Sequence, residues 1–120
     1  TTASGDISTT MGLSTTASNY TSTAMGHTTT ASGYSSTAMG NTTTASGNYS
    51  TSIGLNSIAS GETSTAVGRS TTASGVASTA MGQESGAMGN YTGVWGFQDS
   101  ATGIGNGAWA IGHGCKAFGD

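Results

Sequence analysis

A chain of 120 residues has the length of one domain, but only a third of it is apolar and much of that third is alanine, which excludes a conventional hydrophobic core. Two basic residues, Arg69 and Lys116, stand against Asp6, Glu62, Glu84, Asp99 and Asp120, and a formal net charge of −3 gives no electrostatic footprint for nucleic acid or an anionic membrane. No apolar run is long enough to span a bilayer, no start reads as a signal peptide, and Cys115 is alone, so no disulfide forms within one chain.

From Gly5 to Gly103 a glycine returns every seven residues, with Asn19 standing in once. The preceding residues follow two alternating rules, Thr-Thr-Ala-Ser-Gly as in Thr29 to Gly33 and Ser-Thr-Ala-Met-Gly as in Ser36 to Gly40, so the full repeat is 14 residues. A strict short period is the mark of a solenoid. Asparagine is the residue after glycine that best tolerates left-handed backbone, so the glycine slots are expected to be left-handed corners. Seven residues suit a strand of about five plus a tight turn, and glycine and threonine at this density disfavour helix. The predicted fold is all-β: a two-sheeted parallel β-roll with two strands per coil, about eight coils spaced by about 4.8 Å, and a body about 40 Å long. The chain starts and stops within its own repeat, so a piece of a longer protein is expected, with targeting and anchoring segments elsewhere.

In chain order the predicted strands alternate in kind. One kind carries an outward Thr-x-Ser pair: Thr2 and Ser4, Thr16 and Ser18, Thr30 and Ser32, Thr44 and Ser46, then Ile58 and Ser60 as an interruption, then Thr72 and Ser74. The other kind places Met11, Met25, Met39, Ile53, Val67 and Met81 just before its glycines. Alanine holds the middle position of nearly every strand from Ala17 to Ala87, and side-chain alternation turns it into the narrow space between the sheets. After Gly82 the pattern changes. Met88 takes a serine slot, Val94 an alanine slot and Trp95 a methionine slot, and Phe97, Trp109, Ile111 and Phe118 add bulk. Gly103 and Gly112 are nine apart, which places a two-residue insertion within Ile104-Gly105-Asn106-Gly107-Ala108. Residues 1–82 therefore read as regular repeats and 83–120 as atypical, aromatic-rich repeats that cap the roll or join it to a neck, in preference to an aromatic binding patch.

Burying alanine alone stabilises weakly against the cost of ordering the backbone, about 1 to 2 kcal/mol per residue. An apolar row along the whole roll marks an interaction surface, and self-association about an axis parallel to the solenoid buries it with cyclic symmetry. The row comprises Met11, Met25, Met39, Ile53, Val67, Met81, Trp95 and Ile111. Other candidates read as structural. His27 and His113 follow glycines at opposite ends of the array, with no second ligand at metal spacing. No G-x-S-x-G is present, and the glycines from Gly103 to Gly107 precede no helix that would hold a phosphate. Asn19, Asn41, Asn48 and Asn90 open N-glycosylation patterns that chance explains in such a composition, and Tyr20, Tyr34, Tyr49 and Tyr91 are placed to cover neighbouring coils. No catalytic residue, cofactor or metal site is assigned.

Ser-Thr-Ala-Met-Gly followed by a second strand ending Ala-Ser-Gly resembles the head repeats of trimeric autotransporter adhesins of the YadA-like kind, whose usual strand reads S-V-A-I-G. The resemblance covers Thr1 to about Gly103 and resumes at Ala110-Ile111-Gly112 and Ala117-Phe118-Gly119. It implies a left-handed roll and a homotrimer with the apolar row at its core. It also implies an adhesive, extracellular fibre at a cell surface, anchored in an outer membrane or carried by a virion, whose partner is a host-surface protein or glycan. Neither nucleic-acid binding nor membrane insertion of this segment is expected. Threonine replaces the family's valine at Thr9, Thr23, Thr37, Thr51, Thr65 and Thr79. A second reading takes the grid of Thr2, Ser4, Thr16, Ser18, Thr30, Ser32, Thr44, Ser46, Thr72 and Ser74 as similar to the T-x-T face of an ice-binding β-solenoid, with serine in place of the second threonine.

Overall fold

Threonine and small residues recurring with one period favour parallel stacking of each strand on its own copy, and the computed structural model, which describes residues 1–102 and 107–118, has that architecture. All pairings among the described residues are parallel, and the body measures 40 × 21 × 12 Å. Among the described residues one sheet has eight strands and the other nine. The eight long strands are Thr9–Leu13, Thr23–His27, Thr37–Asn41, Thr51–Leu55, Thr65–Arg69, Thr79–Gln83, Gly93–Phe97 and Trp109–His113. The nine short ones begin with Thr2–Ala3, Thr16–Ala17 and Thr30–Ala31 and end with Lys116–Ala117. Like residues stack on like, as in Met25 on Met39 and Thr30 on Thr44.

Two equal strands of about five residues per coil were expected, and this is corrected: one has five residues and the other two. After Ala45 the N–H groups of Ser46 and Gly47 both converge on the Ala59 carbonyl, at 2.9 and 3.3 Å, and the Ser50 N–H donates back to the Gly47 carbonyl at 3.2 Å. The chain therefore turns immediately. In the other half-repeat Gly40 pairs with Gly54 at φ 122° and keeps the ladder running to Asn41.

The expected positive φ is found at one kind of glycine slot, from Gly12 to Gly96 at φ 115° to 150°, but not at the other. Among the described residues, the glycines of the Thr-Thr-Ala-Ser-Gly kind and Asn19 are not at positive φ. In addition, every seventh residue from Ile7 to Gln98, two after each glycine slot and never itself glycine, has φ between 50° and 59°. Such a conformation costs an L-residue about 1 to 2 kcal/mol. It is held by hydrogen bonds between coils, with the Thr28 N–H donating to the Leu13 carbonyl and the Thr42 N–H to the His27 carbonyl, both at 2.8 Å. At Gly47, where φ is ordinary, glycine is required by space, because a Cβ would collide with the Gly61 carbonyl of the next coil.

The alanines from Ala17 to Ala87 are fully buried between the sheets as expected, but they do not fill the interior alone. The residue two before each alanine shares its face, and Thr15, Ser22, Thr29, Ser36, Thr43, Ser50, Ser57, Ser64, Thr71 and Ser78 are buried too. Several hydroxyls turn back onto corner carbonyls, as Ser36 Oγ does to Gly33 at 2.7 Å and Ser22 Oγ to Asn19 at 2.6 Å. Those of Thr29, Thr43 and Thr71 find no partner among the described residues. An unsatisfied buried hydroxyl costs about 1 to 3 kcal/mol, so Thr43→Val, which keeps the shape, is expected to raise stability by about 1 kcal/mol in chemical denaturation. A loss of stability would mean that the hydroxyl is bonded.

Toward the end the strands stay in the same two sheets, but Gly93 pairs with Trp109 and Ser100 with Lys116, steps of 16 residues where earlier coils step by 14. That is the expected two-residue insertion. Its residues 104–106 lie outside the described residues.

Candidate assembly and adhesion surfaces

The long strands carry their pre-glycine residues on the outer face, opposite the buried alanines, and the register joins Met11, Met25, Met39, Ile53, Val67, Met81, Trp95 and Ile111 into one continuous row. Exposure is 57% at Met11, 39% at Met81, 44% at Trp95 and 63% at Ile111, and the four side chains between Met11 and Met81 are half-buried by their neighbours. Beside the row runs a second one of Thr9, Thr23, Thr37, Thr51, Thr65 and Thr79, which presents methyl groups along with hydroxyls. This face carries no charged side chain in either row.

The two rows change character together at the last two coils. Gly93 follows Thr79 in the threonine row, and Trp109 follows Gly93. A Cβ on Gly93 would strike the Trp109 ring, so the missing side chain is what seats the indole. Trp109 meets Trp95 edge to face at 5.8 Å, and an open hollow of about 300 Å³ lies beside Trp95, lined by Met81, Gly82 and Gly96.

The outer face of the short-strand sheet is polar. Thr2, Thr16, Thr30 and Thr44 stack in one row, Ile58 interrupts it, Thr72 resumes it, and Gly86, Ser100 and Lys116 complete it. Ser4, Ser18, Ser46 and Ser74 are exposed beside these strands and Ser32 is half-buried, while the later serine slot holds the exposed Met88. The hydroxyl grid is thus broken along its threonine row at Ile58, Gly86 and Lys116.

The edge that follows the short strands is held by contacts between neighbouring coils. Tyr20 stacks on Tyr34 at 5.4 Å and 14°, and Tyr34 meets Tyr49 edge-on at 5.5 Å. Each pair packs across the step between coils, so these tyrosines cover adjacent coils as the sequence suggested. Asn48 Oδ1 accepts the Tyr34 N–H at 3.0 Å, Asn90 Oδ1 the Val76 N–H at 2.9 Å, and Asn19 Nδ2 donates to the Ser32 carbonyl at 3.1 Å, so three of the glycosylation-type asparagines serve as clamps between coils. Of the histidines, His27 accepts or donates through Nδ1 to Thr28 Oγ1 at 3.2 Å, and His113 stacks on Phe97 at 4.9 Å.

A second, polar hollow of about 380 Å³ lies over Ser70, Glu84, Gln98 and Asp99 and was not anticipated from sequence. Asp99 is buried in an interior slot that elsewhere holds serine or threonine, and its Oδ1 accepts the Cys115 N–H at 2.7 Å. Glu84 and Gln98 are one repeat apart, a spacing that would have paired them on paper. The Gln98 amide at 3.0 Å, followed by that of Gln83 at 3.3 Å, holds the Glu84 pKa below its ordinary value. Because the folded pKa is below the unfolded one, this network favours folding at neutral pH, and its contribution disappears as pH falls through the folded value. Gln98→Leu is expected to move the Glu84 titration upward in carboxyl NMR. An unmoved titration would remove the amide as its cause.

A family model described as the YadA head domain repeat matches residues 17–41, 31–57 and 59–85, together more than half of the chain. No curated protein matches it.

Proposed function

Because the chain belongs to the YadA head domain repeat family, we propose that it is a stiff segment of an adhesive surface fibre in which three copies wind as left-handed rolls about a common axis. The observation that carries this reading is the unbroken apolar row on one outer face, from Met11 to Ile111, opposite a polar outer face. Three rolls that bring these rows together exclude water from the axis and leave the short-strand sheets and both edges outward. The gain per fully buried methionine or isoleucine is about 1.5 to 3 kcal/mol, which supplements the thin alanine and hydroxyl interior.

In this arrangement residues 1–82 form the regular shaft of the head and 83–120 its end or junction. The role is structural and adhesive, at a cell or virion surface, and no residue is given a catalytic part. Attachment to a host-surface protein or glycan is through the outward faces. Beads coated with the assembled chain are expected to bind saturably to matrix-protein or glycan surfaces and to lose binding when the chain is unfolded. An assembled chain that binds none of them would be a spacer, and the adhesive half of the proposal would fall.

A further inference from the structure

We propose that the Trp95 and Trp109 end of the long-strand sheet sets the axial register of the assembled chains, acting as a lock between copies of this protein. The inference rests on the trimeric reading and adds what that reading leaves open. Along most of the roll the surface facing the axis repeats itself, with a methionine-like residue and a threonine in each coil at one spacing. A chain displaced by one coil meets nearly the same neighbours and forfeits only an end coil, and registers in such uniform surfaces are weakly specified. Coiled coils meet the same problem with a single dissimilar residue in the seam.

The departures needed are in the last two coils, and they are coordinated. Methionine becomes Trp95, the neighbouring threonine becomes Gly93, and the next becomes Trp109, whose ring lies over the space that Gly93 leaves. Both indoles remain substantially exposed, 44% at Trp95 and 56% at Trp109, although each already packs on the other. Next to this knob is the apolar hollow bounded by Met81, Gly82, Trp95 and Gly96. In a ring of three the contact is heterologous, so the knob of each copy faces the hollow of the next. In register, the Trp95 indole of one copy lies level with the hollow of the next and fills it, with Trp109 packed behind it. Displaced by one coil, the indoles strike the threonine and methionine rows and leave the hollow unfilled.

The test restores the regular repeat with Gly93→Thr, Trp95→Met and Trp109→Thr together, since threonine at 93 collides with the indole if Trp109 stays. A spin label on Asn41→Cys, with Cys115→Ser removing the native thiol, reports distances between copies. The otherwise unaltered chain is expected to give one narrow distance. The restored chain is expected to keep its assembled mass but add distances displaced by whole coils, about 4.8 Å each along the axis. A restored chain with the same mass and one narrow distance overturns the lock and leaves the trimer standing. A monomeric parent chain overturns the trimer and the lock with it. If the restored chain fails to assemble, the parent decides: the two tryptophans are the only ones in the chain, and acrylamide quenching is expected to fall several-fold on assembly. Equal quenching in the assembled and dissociated parent overturns the lock.

Discussion

Gly40→Ala is expected to destabilise the roll by about 4 kcal/mol, the sum of backbone strain and overpacking. Gly40 sits at φ 122°, which L-residues rarely adopt, and a Cβ there collides with the carbonyl oxygen of Gly54 in the next coil. The obstacle is backbone held in a parallel ladder, so no side chain can swing aside. The collision belongs to the repeat, because Gly54 stands in the same relation to Gly68 and Gly68 to Gly82. Gly86→Ala is the matched control. A Cβ at Gly86 meets only the end of Met88 at 3.4 Å, and alanine there is expected to be neutral or to stabilise by about 0.5 kcal/mol. Denaturant midpoints that fall equally for the two variants would show that contact between coils is not what demands glycine.

Met39→Asp is expected to abolish assembly at neutral pH. Met39 lies in the middle of the apolar row, between Met25 and Ile53. Burying a charge there without a partner costs several kcal/mol per chain, and symmetry brings like charges together. Ser46→Asp places the same carboxylate on an exposed position of the opposite sheet and is expected to leave assembly intact. A Met39→Asp protein that assembles like the parent would remove the long-strand face from the axis.

Much of the architecture was legible because the repeat is strict. The spacing of Ser-Thr-Ala-Met-Gly implied parallel stacking in register, the alanine position implied the interior, and the nine-residue gap before Gly112 implied the longer step seen between Gly93 and Trp109. The unequal strands were not legible, since both half-repeats have the same length and only the double hydrogen bond to Ala59 distinguishes where the chain turns. Positive φ was legible at the slots such as Gly40 but not at residues such as Thr28 and Thr42, because intrinsic preference points to glycine and asparagine whereas stacked hydrogen bonds impose it there on threonine. The buried Ser and Thr rows were implicit in the alternation, since Ser36 and Ala38 lie two apart, but polar composition argued against placing them inside. Of the candidate site, the alignment of the apolar row on one outer face was legible. The seating of Trp109 over Gly93 was not, because it depends on a diagonal contact between neighbouring strands.

Multi-angle light scattering of the purified chain at low concentration tests the trimeric fibre segment most directly. A mass near three times 11.6 kDa, unchanged on dilution, is the expected result. A well-folded species of 11.6 kDa would contradict it, leaving the row from Met11 to Ile111 exposed to water with no partner.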